Sequence, residues 1–141
     1  MMAELVRDWM TPDPITVSPD TLLTEVFHLM KDRSIRRLPV VKEGKLVGIV
    51  TWGDVRKASA SDVPSLSRFE ANELLDRVKV KRIMARDLIT ISPQVPVTTA
   101  AEIMLEHKIG GLPVMENDQL VGLITGSDIF RMLTAGTGKA A

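Results

Sequence analysis

Hydrophobic positions along the chain alternate between two periods. Ile15-Thr16-Val17 is β-branched throughout and predicts a short strand. Leu22, Val26, Leu29 and Met30 then recur at helical spacing, with Leu23 and Phe27 widening the stripe, so a helix is expected to about Arg33. Ser18-Pro19-Asp20-Thr21, just before it, supplies capping oxygens and a proline suited to a first helical turn. Leu38–Val41 and Leu46–Thr51 are two apolar runs separated by Lys42-Glu43-Gly44-Lys45, a hairpin signal with its glycine inside the turn. A short helix over Asp54–Ser59 follows. At the start of the chain, Val6–Met10 reads as a helical turn that Thr11-Pro12-Asp13-Pro14 breaks, because neither proline can continue a helix.

The same succession then returns. A strand is expected over Ile89–Ile91, a helix from about Val97 to His107 with Pro96 in its first turn, a hairpin around Glu116–Gln119, and a helix over Ser127–Leu133. Met10 and Met84, Pro39 and Pro113, and Asp54 and Asp128 are each 74 positions apart. At that offset Val6–Ala58 and Val80–Met132 align without a gap and share 18 identities over 53 positions. A fixed-period self-match of this kind means one module built twice. The fold class is therefore α/β, each repeat running β-α-β-β-α. Residues 5–59 form the first repeat, 60–79 a linker and 80–133 the second repeat. In the linker, Ser67-Arg68-Phe69-Glu70 has the form of a capping box, and Leu74, Leu75 and Val78 follow it, predicting a helix. Residues 134–141, rich in glycine, alanine and threonine, are expected to be a flexible tail.

Composition narrows the function classes. Of 141 residues 45% are hydrophobic, enough for a core. Eighteen basic side chains balance eighteen acidic ones, which argues against a nucleic-acid binder needing a basic stripe and leaves little net repulsion against self-association. There is no cysteine, so disulfides, iron–sulfur clusters and thiolate zinc sites are excluded. Charges in MMAELVRDWM occupy the place of a signal peptide's apolar run, and no apolar stretch approaches the roughly 20 residues that span a bilayer. The expectation is a cytoplasmic protein without membrane insertion. His28 and His107 stand alone, with no second ligand at metal spacing, so no metal is expected. No nucleophile–base pair or carboxylate dyad forms a motif, and no enzyme activity is assigned.

The candidate chemistry lies where each apolar run ends, at Gly48-x-x-Thr51-x-x-Asp54 and Gly122-x-x-Thr125-x-x-Asp128. A strand stops there and a helix N-terminus begins, so N–H groups and the positive end of the helix dipole favour an anion. A threonine hydroxyl can bond a phosphate, and a carboxylate one turn later can accept both hydroxyls of a vicinal diol such as ribose. The glycine admits a close neighbour, either ligand or backbone. Equally, Thr51 can be a plain N-cap and Asp54 a first-turn carboxylate that only complements the dipole.

The repeat order, the Met10-Thr11-Pro12 opening, the Leu-Pro-Val segments at Leu38 and Leu112 and the Gly-x-x-Thr-x-x-Asp endings together resemble a tandem pair of CBS domains, named after cystathionine β-synthase. The resemblance runs from about Leu5 to Leu133 and implies two pseudo-twofold-related repeats with two clefts. It also implies a regulatory module that binds AMP, ADP, ATP, S-adenosylmethionine or NAD and requires no cofactor. One cleft would combine Thr125 and Asp128 with Met10, with Ile15, Thr16 and Val17, and with Ile35, Arg36 and Arg37. The other would combine Thr51 and Asp54 with Met84, with Ile89, Thr90 and Ile91, and with Ile109, Gly110 and Gly111. Arg36 and Arg37 would suit phosphates, where Gly110 and Gly111 leave room without charge; alternatively, the arginines are a solvated strand end. Trp52, matched by Gly126, packs, narrows one cleft or stacks on a base. The resemblance further implies a homodimer formed through helices and an unknown regulated protein. The alternative is a ligand-free interaction module that docks on an enzyme or transporter.

Overall fold

A computed structural model describes residues 4–59 and 76–140. The elements are α1 (Val6–Trp9), β1 (Thr11–Pro12), α2 (Leu23–Arg33), β2 (Arg37–Lys42), β3 (Lys45–Thr51) and α3 (Trp52–Ser59). After a 3₁₀ turn at Val80–Arg82 come α4 (Val97–His107), β4 (Gly111–Glu116), β5 (Gln119–Thr125) and α5 (Gly126–Ala140). The expected capping box at Ser67 and most of the linker lie outside the described residues.

The chain folds as two compact units, and they do not coincide with the sequence repeats. One unit joins residues 1–14 to residues 89–141; the other is residues 15–88. Each repeat's leading segment is thus built into the body of the other repeat. In the first unit Val6 N donates to Val95 O, and in the second Val80 N donates to Thr21 O, the same bond 74 positions along. β1 pairs with β5, Thr11 opposite Leu123, while Ala85 and Ile49 exchange both backbone bonds at 2.9 and 3.0 Å.

Within the first unit β1, β5 and β4 form an antiparallel sheet, and α1, α4 and α5 cover it. Its core is Val6, Val97, Ala100, Leu112, Val114 and Ile124, with Ile91 and Met104 at the margin. In the second unit β2 and β3 pair antiparallel, and the core is Leu23, Val26, Leu38, Val40, Val50, Val55 and Val80, edged by Val17, Met30 and Met84.

The hairpins close through two-residue turns with positive φ at both positions: Glu43 and Gly44, Asn117 and Asp118. Such turns match the right-handed twist of the strands they join. Helices α2 and α4 both end on a left-handed residue, Ser34 and Lys108, after which Ile35 N and Ile109 N return to Met30 O and Met104 O at 3.0 Å.

Several expectations need correction. The strands expected at Ile15–Val17 and Ile89–Ile91 shrink to single parallel bridges, Val17 to Val40 and Ile91 to Val114. Pro19 and Pro93, two residues beyond each bridge, have no N–H with which to extend a ladder. Ser18–Thr21 does not cap α2 but forms its own turn, with Ser18 N on Thr21 Oγ1 at 3.0 Å and Asp20 N on Ser18 Oγ at 3.1 Å. The N-caps are Leu22 and Pro96, neither with a side-chain cap. Helix α5 runs on to Ala140 rather than stopping at Leu133, since no proline interrupts its ladder.

Candidate functional site

Both Gly-x-x-Thr-x-x-Asp motifs are strand-to-helix turns. Thr51 ends β3 and immediately precedes α3; Thr125 ends β5 and immediately precedes α5. Each stands opposite the first residue of the neighbouring strand, Thr51 across from Arg37 and Thr125 across from Gly111. The first helical N–H of each helix is already used: Trp52 N donates to Arg36 O at 2.8 Å and Gly126 N to Gly110 O at 3.1 Å.

The threonine and aspartate of each turn are locked together. Thr51 N donates to Asp54 Oδ2 at 2.9 Å, while Asp54 N donates to Thr51 Oγ1 at 3.2 Å. This is a reciprocal capping box with aspartate in the usual glutamate position. In the other unit Thr125 N donates to Asp128 Oδ2 at 2.9 Å, but the Thr125 hydroxyl donates to that same oxygen at 3.2 Å. Arg131 pairs with Asp128 Oδ1. Asp128 is only 3% exposed, whereas Asp54 is half-buried. A buried carboxylate needs such partners, and three donors supply them here.

The glycines admit close neighbours, and those neighbours are protein. A Cβ on Gly48 would meet Met84 Sδ at 2.6 Å and Ala85 O at 3.0 Å. A Cβ on Gly122 would run into the Met10 side chain and meet Thr11 O at 3.0 Å. Met84 therefore lies against the strand that ends in Thr51, and Met10 against the strand that ends in Thr125.

Of the residues expected beside Thr125 and Asp128, Met10 is in the same unit. Ile15, Thr16, Val17, Ile35, Arg36 and Arg37 belong to the other unit. Of those expected beside Thr51 and Asp54, Met84 shares their unit, and Ile89, Thr90, Ile91, Ile109, Gly110 and Gly111 belong to the other. Thr16, Thr90, Arg36 and Gly110 are exposed; Val17, Ile91 and Gly111 are buried. Arg37 is half-buried; desolvation first, and the neighbouring Arg36 second, hold its guanidinium below the usual arginine pKa.

The choice left open for Trp52 falls to packing. Its ring stacks on Phe27 with centroids 5.4 Å apart and planes at 25°, and Phe27 in turn meets His28 edge-on at 5.6 Å. Arg131 went unnoticed in the sequence, although the i, i+3 spacing of Asp128 and Arg131 on a helix was the available signal. Among the described residues no cluster of three or more His, Asp or Glu side chains could hold a metal ion, and no helix is long and apolar enough to cross a membrane.

Two α/β units, each with its strand-to-helix turn and an exchanged leading segment, define a tandem-module protein. The CBS domain model matches residues 6–61 and 80–135, and the chain belongs to the CBS domain family as a pair of such domains. An uncharacterised protein of Methanocaldococcus jannaschii is 37% identical over 131 residues, 91% of this chain and 46% of its own length, so the chain spans less than half of that relative. A CBS domain-containing protein of Dictyostelium discoideum is 36% identical over 134 residues, 94% of this chain and 92% of its own. The crystallised CBS domain pair of protein MJ0100, in complex with 5′-methylthioadenosine and S-adenosyl-L-methionine, superposes with a TM-score of 0.81 at 31% identity, covering 96% of this chain and 99% of the other.

Proposed function

We propose that this chain is a regulatory module that binds an adenosine-containing ligand and signals its bound state to a partner protein, as an energy sensor does for AMP, ADP or ATP. S-adenosylmethionine and NAD belong to the same ligand class. One observation carries the reading: the Thr-x-x-Asp turn, backed by a close-packed glycine, is built twice in the same register. The adenosine-type ligands in the related MJ0100 pair support the ligand class. Asp54 and Asp128 would accept the ribose hydroxyls. With Asp128 go Thr125, Met10, Ile15–Val17 and Ile35–Arg37; with Asp54 go Thr51, Met84, Ile89–Ile91 and Ile109–Gly111. Arg36 and Arg37 would face phosphates. The module works in the cytoplasm as a homodimer and catalyses no reaction.

Thermal unfolding with AMP, ADP, ATP, NAD and S-adenosylmethionine tests this directly. A ligand at a hundred times its dissociation constant adds about 2.7 kcal/mol of stability, several degrees in Tm for a chain of this size. A shift lost in Asp128→Ala or Asp54→Ala assigns the ligand to that turn, and no shift with any ligand overturns the reading. A second reading, a ligand-free module docking on an enzyme or transporter, is favoured by the completeness of the caps: Asp128 already has three donors. In that case both alanine variants lose the same stability with and without nucleotide.

A further inference from the structure

We propose that residues 4–14, the leading segment of the first repeat, exchange between two copies of the chain about a hinge at Asp13-Pro14. Each copy then lends its Met10 to the other copy's β5, the strand that ends in Thr125. This rests on the homodimer reading above and gives that dimer a contact other than helix faces. The seat of the segment lies in the second repeat. Val6 N and Arg7 N donate to Val95 O and Pro93 O, both at 2.9 Å, and Val97 N donates to Glu4 O at 2.9 Å. Thr11 stands opposite Leu123, and Asp13 N reaches Val121 O at 3.2 Å. Residues from 15 onward belong to the other unit, so the segment joins its own repeat only through the link after Asp13. Exchange preserves every contact in the seat, remade with a second copy, and changes the link alone. That economy is what makes segment exchange a low-cost route to a dimer.

The link is strained as it stands. Asp13 has φ 44°, in the left-handed region, although a residue before proline favours extended backbone. Asp87, its match 74 positions on, precedes Leu88 and has no positive φ. Straightening the link lets Asp13 return to extended backbone, and short strained hinges favour exchange. Asp13 is exposed and Ile15 is 37% exposed, so the hinge lies at the surface. The matching segment of the second repeat is held by charge as well. Asp20 pairs with Lys79 and Lys81 at 3.5 and 3.3 Å, and Thr24 bonds Asp76. In the seat of the first segment Gln94 takes the place of Asp20 and bonds Ser92 and Glu116, while Leu5 takes the place of Lys79. No ion pair can form there, so the first segment is the one that leaves its seat.

Disulfide trapping tests the exchange, because the chain has no cysteine of its own. Thr11 and Leu123 are opposite each other in an antiparallel pair, a spacing that a disulfide spans. Thr11→Cys and Leu123→Cys chains, refolded together and oxidised, are expected to give a covalent dimer in which peptide mapping joins position 11 of one chain to position 123 of the other. The dimer fraction of the double variant should likewise be linked between chains. If the double variant closes only within single chains while sedimentation equilibrium shows a dimer, the homodimer stands and the exchange is overturned. A monomer at every protein concentration overturns both. Asp13→Gly, at an exposed position, takes the positive φ without strain and should raise the dimer dissociation constant about tenfold, with circular dichroism unchanged. A dissociation constant that this variant leaves unaltered overturns the hinge.

Discussion

The Asp128 carboxylate accepts the Thr125 backbone N–H at 2.9 Å, the same bond that Asp54 makes to Thr51, yet the two turns are completed differently. In one, the threonine hydroxyl receives the aspartate N–H; in the other it donates to the carboxylate. Three residues beyond the aspartate stands Arg131 in one unit and Lys57 in the other. Arg131 closes on Asp128 Oδ1 from a position 63% exposed. The carboxylate is held from within by backbone and hydroxyl, and only its other oxygen depends on an exposed side chain.

Asp128→Ala should therefore cost about 1–3 kcal/mol, since it removes a cap and leaves the Thr125 N–H and hydroxyl without their acceptor. Arg131→Ala should cost less than Asp128→Ala, since the Arg131 side chain is 63% exposed and the buried carboxylate keeps both Thr125 donors. Urea unfolding of both variants gives the comparison. Equal losses would mean that the ion pair, not the cap, holds the turn.

Gly48→Ala and Gly122→Ala should each lose about 1–3 kcal/mol from overpacking. The methionine side chain can shift, but the carbonyl 3.0 Å from the new Cβ, Ala85 O or Thr11 O, belongs to the backbone. In a double-mutant cycle with Met84→Ala, the Gly48→Ala loss measured in the Met84→Ala background is expected to shrink only in part. Its disappearance would locate the restriction in the thioether alone.

The Phe27–Trp52 stack should appear as a coupling of about 0.5–1.5 kcal/mol in a double-mutant cycle of Phe27→Ala and Trp52→Ala. Additive losses would show that the rings contribute only their separate burial.

Asp20 lies beside two lysines: a hydrogen bond and charge from Lys81, and then charge from Lys79, lower its pKa below 3.8. A carboxylate whose folded pKa is depressed contributes stability that is complete above its unfolded pKa and is lost as pH falls through the folded one. The Tm difference between the wild type and Asp20→Asn should be small, because the pair is exposed. It should be present near about pH 6 and shrink towards about pH 3. A difference that grows on acidification would reverse the assignment.

Much of the local structure was legible in the letters. The stripe of Val26 and Met30, repeated by Ala100 and Met104, marked α2 and α4 almost to the residue, because a 3.6-residue period is imposed by neighbours within one turn. Lys42–Lys45 marked its hairpin because a two-residue turn needs positive φ, which Gly44 takes without strain. Ser18–Thr21 misled because the same oxygens that cap a helix also close a turn on their own backbone. Ile15–Val17 misled because β-branched composition says nothing of the prolines that confine pairing to one bridge.

The sequence by itself determined two copies of one module, the helices and hairpins of each, and the Thr-x-x-Asp turns at their ends. Only the tertiary structure decided which leading segment joins which body: Val6–Pro12 on the strands of the second repeat, Val80–Ala85 on those of the first. The reason is the repeat itself. Val6 and Met10 match Val80 and Met84, and Gly48 matches Gly122, so either segment carries the side chains that either body would bury. Local periodicity cannot separate two choices with the same pattern. Pairing of Thr11 with Leu123, distant in sequence, settles it through backbone bonds that no sequence pattern records.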